Sequence, residues 1–241
     1  MSRRYFFRLR KKIKRMSMKE RVAEEIAKRV KNGDVLGVGT GSTVDLALIR
    51  IGERVKAEKL TVHVVPTSYE SAWDCEQRGL HVLSPGYLQE LSWGFDGADE
   101  VDPELSLVKG RGGAMLKEKI LAAKCKKFVV IVDDSKLVKK LGEKFPIPVE
   151  VIPEARGLVE RKLKSLGAKT IELREGGKKH GPVITEAGNI ILDCTFGSLS
   201  KNSERDIKSI VGVVESGLFI GYASEVLIGS EAGVRSLFPS T

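Results

Sequence analysis

The sequence predicts an α/β fold: a Rossmann-like, doubly wound, mostly parallel sheet with a smaller inserted α+β (ferredoxin-like) domain. Three observations predict it. Short apolar, β-branched runs alternate with amphipathic stretches from Met18 onward, the pattern of strands joined by crossover helices. Polar turns follow four of those runs, at 39–43, 96–99, 109–113 and 133–136. Past Leu141 the texture changes, where "FPIPVEVIP" sets three prolines around a short strand and marks a boundary.

Each element follows in order. Val22, Ile26 and Val30, with Ala23 and Ala27 beside them, make one face of a first helix, which "NGD" at 32–34 ends. "VLGVG" is a buried strand, and "STVDLALIRIGERV" is a helix with Ser42 or Thr43 available to cap it. "LTVHVVPTS" is a strand and "YESAWDCEQRG" a helix. "LSWGFDGADE", "LSLVKGRGGA" and "KFVVIVDDSK" are strand-like runs entering polar turns, with the helix "AMLKEKILAAKCKK" between the last two. Then come a helix ("EARGLVERKLKSLG"), a strand ("KTIELRE"), a hairpin turning near Gly188 and a further helix ("LSKNSERDIKSI"). That β-α-β-β-α order suggests a split, ferredoxin-like unit. "GLFIGYASEVLIGS" returns to α/β texture. The expected division is 18–142 with 213–241 as the Rossmann-like unit, 143–212 as the insertion, and 1–17 as a basic, disordered extension.

Composition narrows the function classes. No apolar run is as long as a membrane span. Three scattered cysteines without a CxxC, and only three histidines, speak for reduced thiols in a cytoplasmic protein and against a zinc site. The formal net charge is +9, but residues 1–15 carry eight Lys or Arg and no acid, leaving 33 basic against 32 acidic residues elsewhere. A nucleic-acid-binding domain carries its basic surplus on the folded surface, so nucleic acid is not an expected partner, and neither is a membrane. The tail has some amphipathic character, which leaves a targeting segment as the alternative to a plain extension.

"GVGTGST" (37–43) lacks the lysine of a Walker loop and the third glycine of a dinucleotide fingerprint, and no acid ends the next strand. What remains is a turn whose amides and hydroxyls, at Thr40, Gly41, Ser42 and Thr43, face an anion at a helix N-terminus. "DGADE" packs Asp96, Asp99 and Glu100, with Asp102 close by. It reads as a solvated turn, as a carboxylate pair that holds hydroxyls or shuttles protons, or as an oxygen-ligand metal site without the spacing of a calcium loop. In "KGRGGAMLKEK", Lys109 and the amides of Gly110, Gly112 and Gly113 can stabilise an oxyanion while Glu118 removes a nearby proton. The plain alternative makes Lys117, Glu118 and Lys119 a charged helix face. Lys136 is by default a solvated loop lysine. In a parallel sheet, however, the carboxyl ends of four strands open into one crevice. An anion cradle, carboxylates and lysines meeting there suit a small phosphorylated substrate and proton transfer beside a carbonyl, with no metal or cofactor required.

"GVGTGST", "DGADE", "KGRGGAMLKEK" and "VDDSK", in this order and spacing, resemble ribose-5-phosphate isomerase of the A type, as do "FPIPVEVIP", "GNIILD" and "GLFIGYASEVLIG". The resemblance runs from about Met18 to the C-terminus. It implies interconversion of ribose 5-phosphate and ribulose 5-phosphate in the pentose phosphate pathway, without metal, by a homodimer or homotetramer. Substrate binding is then expected at Thr40, Gly41, Ser42, Thr43, Asp96, Gly97, Ala98, Asp99, Lys109, Gly110, Arg111, Gly112 and Lys136, with Lys19 as a further phosphate contact. Glu118 is implied as catalytic base, Lys109 as enediolate partner, and Asp96 or Asp99 as the ring-opening group. Arg111 departs from the family's frequent glycine. Alternatives from other classes are a sugar-phosphate-sensing module and a CoA transferase or sugar-phosphate deaminase on a related fold.

Overall fold

The computed structural model describes residues 16–87 and 90–240, so the basic segment 1–15 lies outside the described residues. Ser17 and Glu20 open the first helix by capping each other's backbone N–H, a capping box. The order that follows is α1 (Met18–Arg29), β1 (Val35–Val38), α2 (Ser42–Glu58), β2 (His63–Pro66), α3 (Tyr69–Gln77) and β3 (His81–Val82). It continues through β4 (Trp93–Asp96), β5 (Glu100–Val101), β6 (Leu107–Val108), α4 (Met115–Lys124) and β7 (Phe128–Asp133). A second group comprises β8 (Ile147–Val151), α5 (Arg156–Ser165), β9 (Ala168–Leu173), β10 (Ile190–Phe196), α6 (Ser203–Lys208) and β11 (Val213–Ser216). The chain returns through β12 (Leu218–Phe219), β13 (Glu225–Ser230) and β14 (Gly233–Leu237). Among the described residues no helix is long and apolar enough to cross a membrane.

The main sheet has the order β14-β13-β7-β4-β1-β2-β3 and is parallel apart from β14. From β1 the chain winds outward through β2 and β3, then resumes on the other side at β4, so the order reverses between β1 and β4. In open α/β sheets ligands bind at that reversal, beyond the carboxyl ends of the strands. Strand β7, "FVVIVD", is buried throughout, as a strand covered on both faces must be. Its alternate residues divide the two faces. Val129 and Ile131 join a core built from α1, α2 and Cys75 of α3, while Phe128, Val130 and Val132 pack with Ala122 of α4, Leu107 and Phe219.

The second sheet has the order β11-β8-β10-β9, with every pair antiparallel. With α5 and α6 supplying Val159, Leu163 and Ile207 to its core, this is the split β-α-β-β-α-β unit. It takes in Val213–Ser216, which pair with β8 beyond the expected boundary at residue 212. A third sheet, β12-β6-β5, lies against the second face of the main sheet. Here one expectation is corrected. The turn at 109–113 follows β6, which belongs to this small antiparallel sheet and not to the parallel one. Two residues of strand are too few to show a period, so the sequence could not distinguish the two settings.

Lys119 joins the layers. It is only 5% exposed, and its Nζ reaches Glu204 Oε1 at 2.6 Å, Glu215 Oε1 at 2.9 Å and the Leu218 carbonyl at 2.6 Å. Three donors thus meet three acceptors. The reading of Lys117, Glu118 and Lys119 as one charged helix face is therefore overturned, because α4 is covered on two sides. Removing one partner of a buried ion cluster typically costs about 3–5 kcal/mol. Lys119→Ala is expected to lose stability on that scale in chemical denaturation, against no more than about 1 kcal/mol for an exposed pair such as Lys201–Glu104.

Candidate active site

Burial of charge defines the site. Lys109, at the end of β6, is 3% exposed, and Asp96 and Glu118 are 0% and 5% exposed. Its Nζ lies 2.9 Å from Asp96 Oδ2 and 3.3 Å from Glu118 Oε2, and donates to the Gly97 carbonyl at 2.6 Å. Asp96 Oδ1 accepts from the backbone N–H groups of Thr40 and Gly97, at 3.1 and 2.7 Å. The loop after β1 can come this close only because residue 39 is glycine. A Cβ there would stand 1.9 Å from Asp96 Cγ.

Two buried carboxyls share one ammonium, and their protonation follows from that. Burial works against the Lys109 ammonium, but Asp96 and Glu118 outweigh it and raise its pKa. Burial raises Asp96 as well, against the pull of Lys109 and its two amide donors. Glu118 is pushed up to about 8, first by burial and further by the Asp96 charge, with Lys109 opposing. Glu118 has the longer lysine contact, and its raised pKa brings both protonation states within reach near neutral pH. A carboxyl poised near the working pH can both take and return a proton.

In front of this cluster lies a cavity of ≈ 390 Å³. One wall is the start of α2. Gly41 is its N-cap, with φ 118° and no side-chain cap, so the expected Ser42 or Thr43 cap is corrected. Those hydroxyls sit inside the first turn and leave its amides free for an anion. Ser42 Oγ accepts from Lys19 Nζ at 2.9 Å. Gly97, Ala98, Asp99, Lys109, Gly110, Arg111, Gly112, Glu118 and Lys136 complete the lining. Every residue expected to bind substrate therefore borders this cavity except Asp96, which lies behind Lys109; Gly113, also expected to offer an amide, does not line it.

The acidic run divides by role. Asp99 lines the cavity and accepts from the Arg111 N–H at 3.1 Å. Glu100 is buried and accepts from the backbone N–H groups of Gly142, Lys144 and Phe145 at 2.5–2.8 Å. Asp102 caps its own turn through the Glu104 and Ser106 N–H groups.

Sequence reasoning missed several supporting side chains. Thr67, Ser68 and Ser71 form a hydroxyl cluster around Thr40 Oγ1, at 2.9–3.0 Å. Ser71 Oγ in turn donates to the Gly39 carbonyl at 2.7 Å. Arg174, on the second sheet, donates to the carbonyls of Gly110 and Arg111 while paired with Asp193. The only signal for the first group was "TS" before a helix, which reads as an ordinary cap.

A doubly wound α/β protein with an anion cradle facing a buried carboxyl–lysine–carboxyl cluster is a proton-transfer enzyme for small anionic substrates. Residues 63–233 match the family model of ribose 5-phosphate isomerase A (phosphoriboisomerase A). The chain is 45% identical over 223 residues to the ribose-5-phosphate isomerase A of Methanocaldococcus jannaschii, covering 91% of this chain and 97% of that protein. It is 43% identical over 224 residues to that of Methanothermobacter thermautotrophicus, covering 92% and 98%. The solved M. jannaschii structure superposes with a TM-score of 0.88 at 44% identity, over 92% of this chain and 98% of that one. A D-ribose-5-phosphate isomerase solved in complex with phospho-erythronic acid also gives a TM-score of 0.88, at 38% identity over 92% and 97%. The chain belongs to the ribose 5-phosphate isomerase A family.

Because the Asp96 charge raises the Glu118 pKa, Asp96→Asn should lower it. Carbon-13 NMR of labelled glutamate carboxyls should give a Glu118 midpoint near 8 in the parent chain and a lower one in the variant. An unchanged midpoint would place the proton elsewhere in the cluster.

Proposed function

We propose that this chain interconverts D-ribose 5-phosphate and D-ribulose 5-phosphate through an enediolate, with Glu118 moving the proton between C2 and C1. The observation that carries the reading is the Lys109 ammonium held between Asp96 and Glu118 at the wall of a cavity of sugar-phosphate size. The family supplies the substrate. The phospho-erythronic acid complex of a relative supports a phosphorylated polyol acid as a fitting ligand for such a cavity.

The steps follow from the geometry. The α2 amides, Ser42, Thr43 and Lys19 take the phosphate together with Lys136 and Arg111, which line the same cavity. That remote binding energy orients the reacting carbons. Asp99, the carboxylate that faces the cavity, assists proton movement in ring opening. Glu118, deprotonated, takes the C2 proton of the aldose, and negative charge develops on the C1 oxygen. Lys109 and the Gly110–Gly112 amides stabilise that oxygen, a contribution largest where water is excluded. The O2 hydroxyl proton passes to O1 and Glu118 returns its proton to C1 as the C2 carbonyl forms, giving the ketose. Asp96 holds Lys109 in place and keeps Glu118 basic.

The sensor, CoA transferase and deaminase alternatives are not favoured, since relatives over 40% identical are isomerases by name. A homo-oligomer in the cytoplasm belongs to the same proposal, as does the division into a catalytic unit and an inserted unit.

Glu118→Gln preserves shape and removes the base. Its kcat for ribose 5-phosphate is expected to fall by about 10²–10⁴, with KM within about threefold, when both proteins are assayed in excess chelator. Activity surviving in the variant would move the base to Asp99.

A further inference from the structure

We propose that Phe145 is a positioning residue for the substrate phosphate, its ring seating Arg111 and Lys136 as a pair of cations at the cavity rim. The proposal rests on the isomerase reading above and adds a residue that the reaction itself does not name. Arg111 Cζ lies 4.9 Å from the Phe145 ring centroid, and Lys136 Nζ lies 5.3 Å from it. Both are within the range of attraction between a cation and an aromatic face. Both line the cavity, and neither has an acidic partner among the described residues. The two charges are no further apart than about 10 Å, roughly a Debye length at physiological salt. They repel each other, and a dianion held by both removes that repulsion.

The ring is itself fixed. Phe145 donates its N–H to Glu100 Oε1 at 2.8 Å, and the same buried carboxylate accepts from Gly142 and Lys144. Lys144 Nζ donates to the carbonyls of Ser135 and Leu137, at 2.6 and 3.1 Å, the residues on either side of Lys136. On the other side, the Arg111 N–H is held by Asp99, and its carbonyl by Arg174. Both backbones are thus anchored, and the aromatic face is what directs the two flexible side chains. Holding them there lowers the ordering cost that long cationic side chains incur on binding. Glu100 acts through Phe145 and then Arg111 or Lys136 in this scheme, which accounts for an acid of the "DGADE" run that does not line this cavity.

The test compares Phe145→Leu, →Tyr and →Trp with the parent chain. Phe145→Leu keeps an apolar side chain and removes the ring. Its KM for ribose 5-phosphate is expected to rise about three- to thirtyfold, with kcat within about twofold, and Tyr and Trp are expected to restore KM. Arg111→Ala, at an exposed position, is an independent arm. It should raise KM alone and have a smaller effect in the Phe145→Leu background. Equal KM values for the Leu, Tyr and Trp variants, a fall confined to kcat, or additive effects in the double variant would each overturn the proposal. Calorimetric titration with inorganic phosphate reads the seat without turnover. Phosphate affinity lost in Phe145→Leu, in a chain that does not isomerise ribose 5-phosphate, would keep the seat and remove the isomerase reading. Turnover with phosphate affinity unchanged across the variants would do the reverse.

Discussion

A single ammonium, that of Lys109, balances two carboxyls in a place that water scarcely reaches, and the rest of the site is arranged around that imbalance. Taking ions out of water costs several kcal/mol each even after relaxation. The cluster persists because its hydrogen bonds are almost complete: Gly97 contributes a carbonyl, and Thr40 and Gly97 contribute amides. One positive charge cannot neutralise two negative ones, so Glu118, with the longer lysine contact, binds a proton more readily than a free glutamate does. The result is a glutamic acid whose affinity for protons is set by its neighbours rather than by its own chemistry. The strand reversal between β1 and β4 puts the start of α2 and the carboxyl–lysine–carboxyl cluster at the walls of one cavity.

The sheets divide the work of delivery. The parallel sheet presents the anion cradle and the aspartate loop, both from strand ends at the reversal. The small antiparallel sheet β12-β6-β5 leads into Lys109, and α4 carries Glu118 to within 3.3 Å of its Nζ. From the inserted sheet, Arg174 grips the carbonyls of Gly110 and Arg111, while Lys119 ties α4 to the same region through Glu204 and Glu215. The buried cluster is therefore held by contacts that reach all three sheets. That arrangement suits a reaction in which small displacements are costly.

Much of this was legible in the sequence. Strong, regular periods announced α1, α2 and β7, and glycine-rich turns after β1 and β4 announced the loops that meet at the reversal. Most residues expected to bind substrate border one cavity, whereas Asp96 lies behind Lys109, and Glu100 and Asp102 of the acidic run serve backbone N–H groups instead. What stayed hidden had a physical reason in each case. The β6 strand was too short to reveal its sheet. Lys119 reads as solvated because charge on a helix is usually solvated, and only the packing of a second layer shows otherwise. Glu100 was indistinguishable from its acidic neighbours, since its three amide donors come from residues more than forty positions away. Phe145 opens the "FPIPVEVIP" run, whose prolines mark a boundary and say nothing of what its ring faces.

The insertion between β7 and β13 has a kinetic consequence. These neighbouring strands must pair although Phe128 and Ser224, which hydrogen-bond across them, are 96 residues apart in the chain. Closing so long a loop before the intervening residues fold would be entropically unfavourable, and long-range parallel pairing is intrinsically slow. The insertion is made of closely connected antiparallel strands and two helices, which assemble from more local contacts. Once folded, it draws Ile147 and Ser216 onto adjacent strands of one sheet and shortens the effective loop that β13 has to close. The inserted sheet then acts as an internal splint for the main one, and the order of assembly is written into the order of the chain.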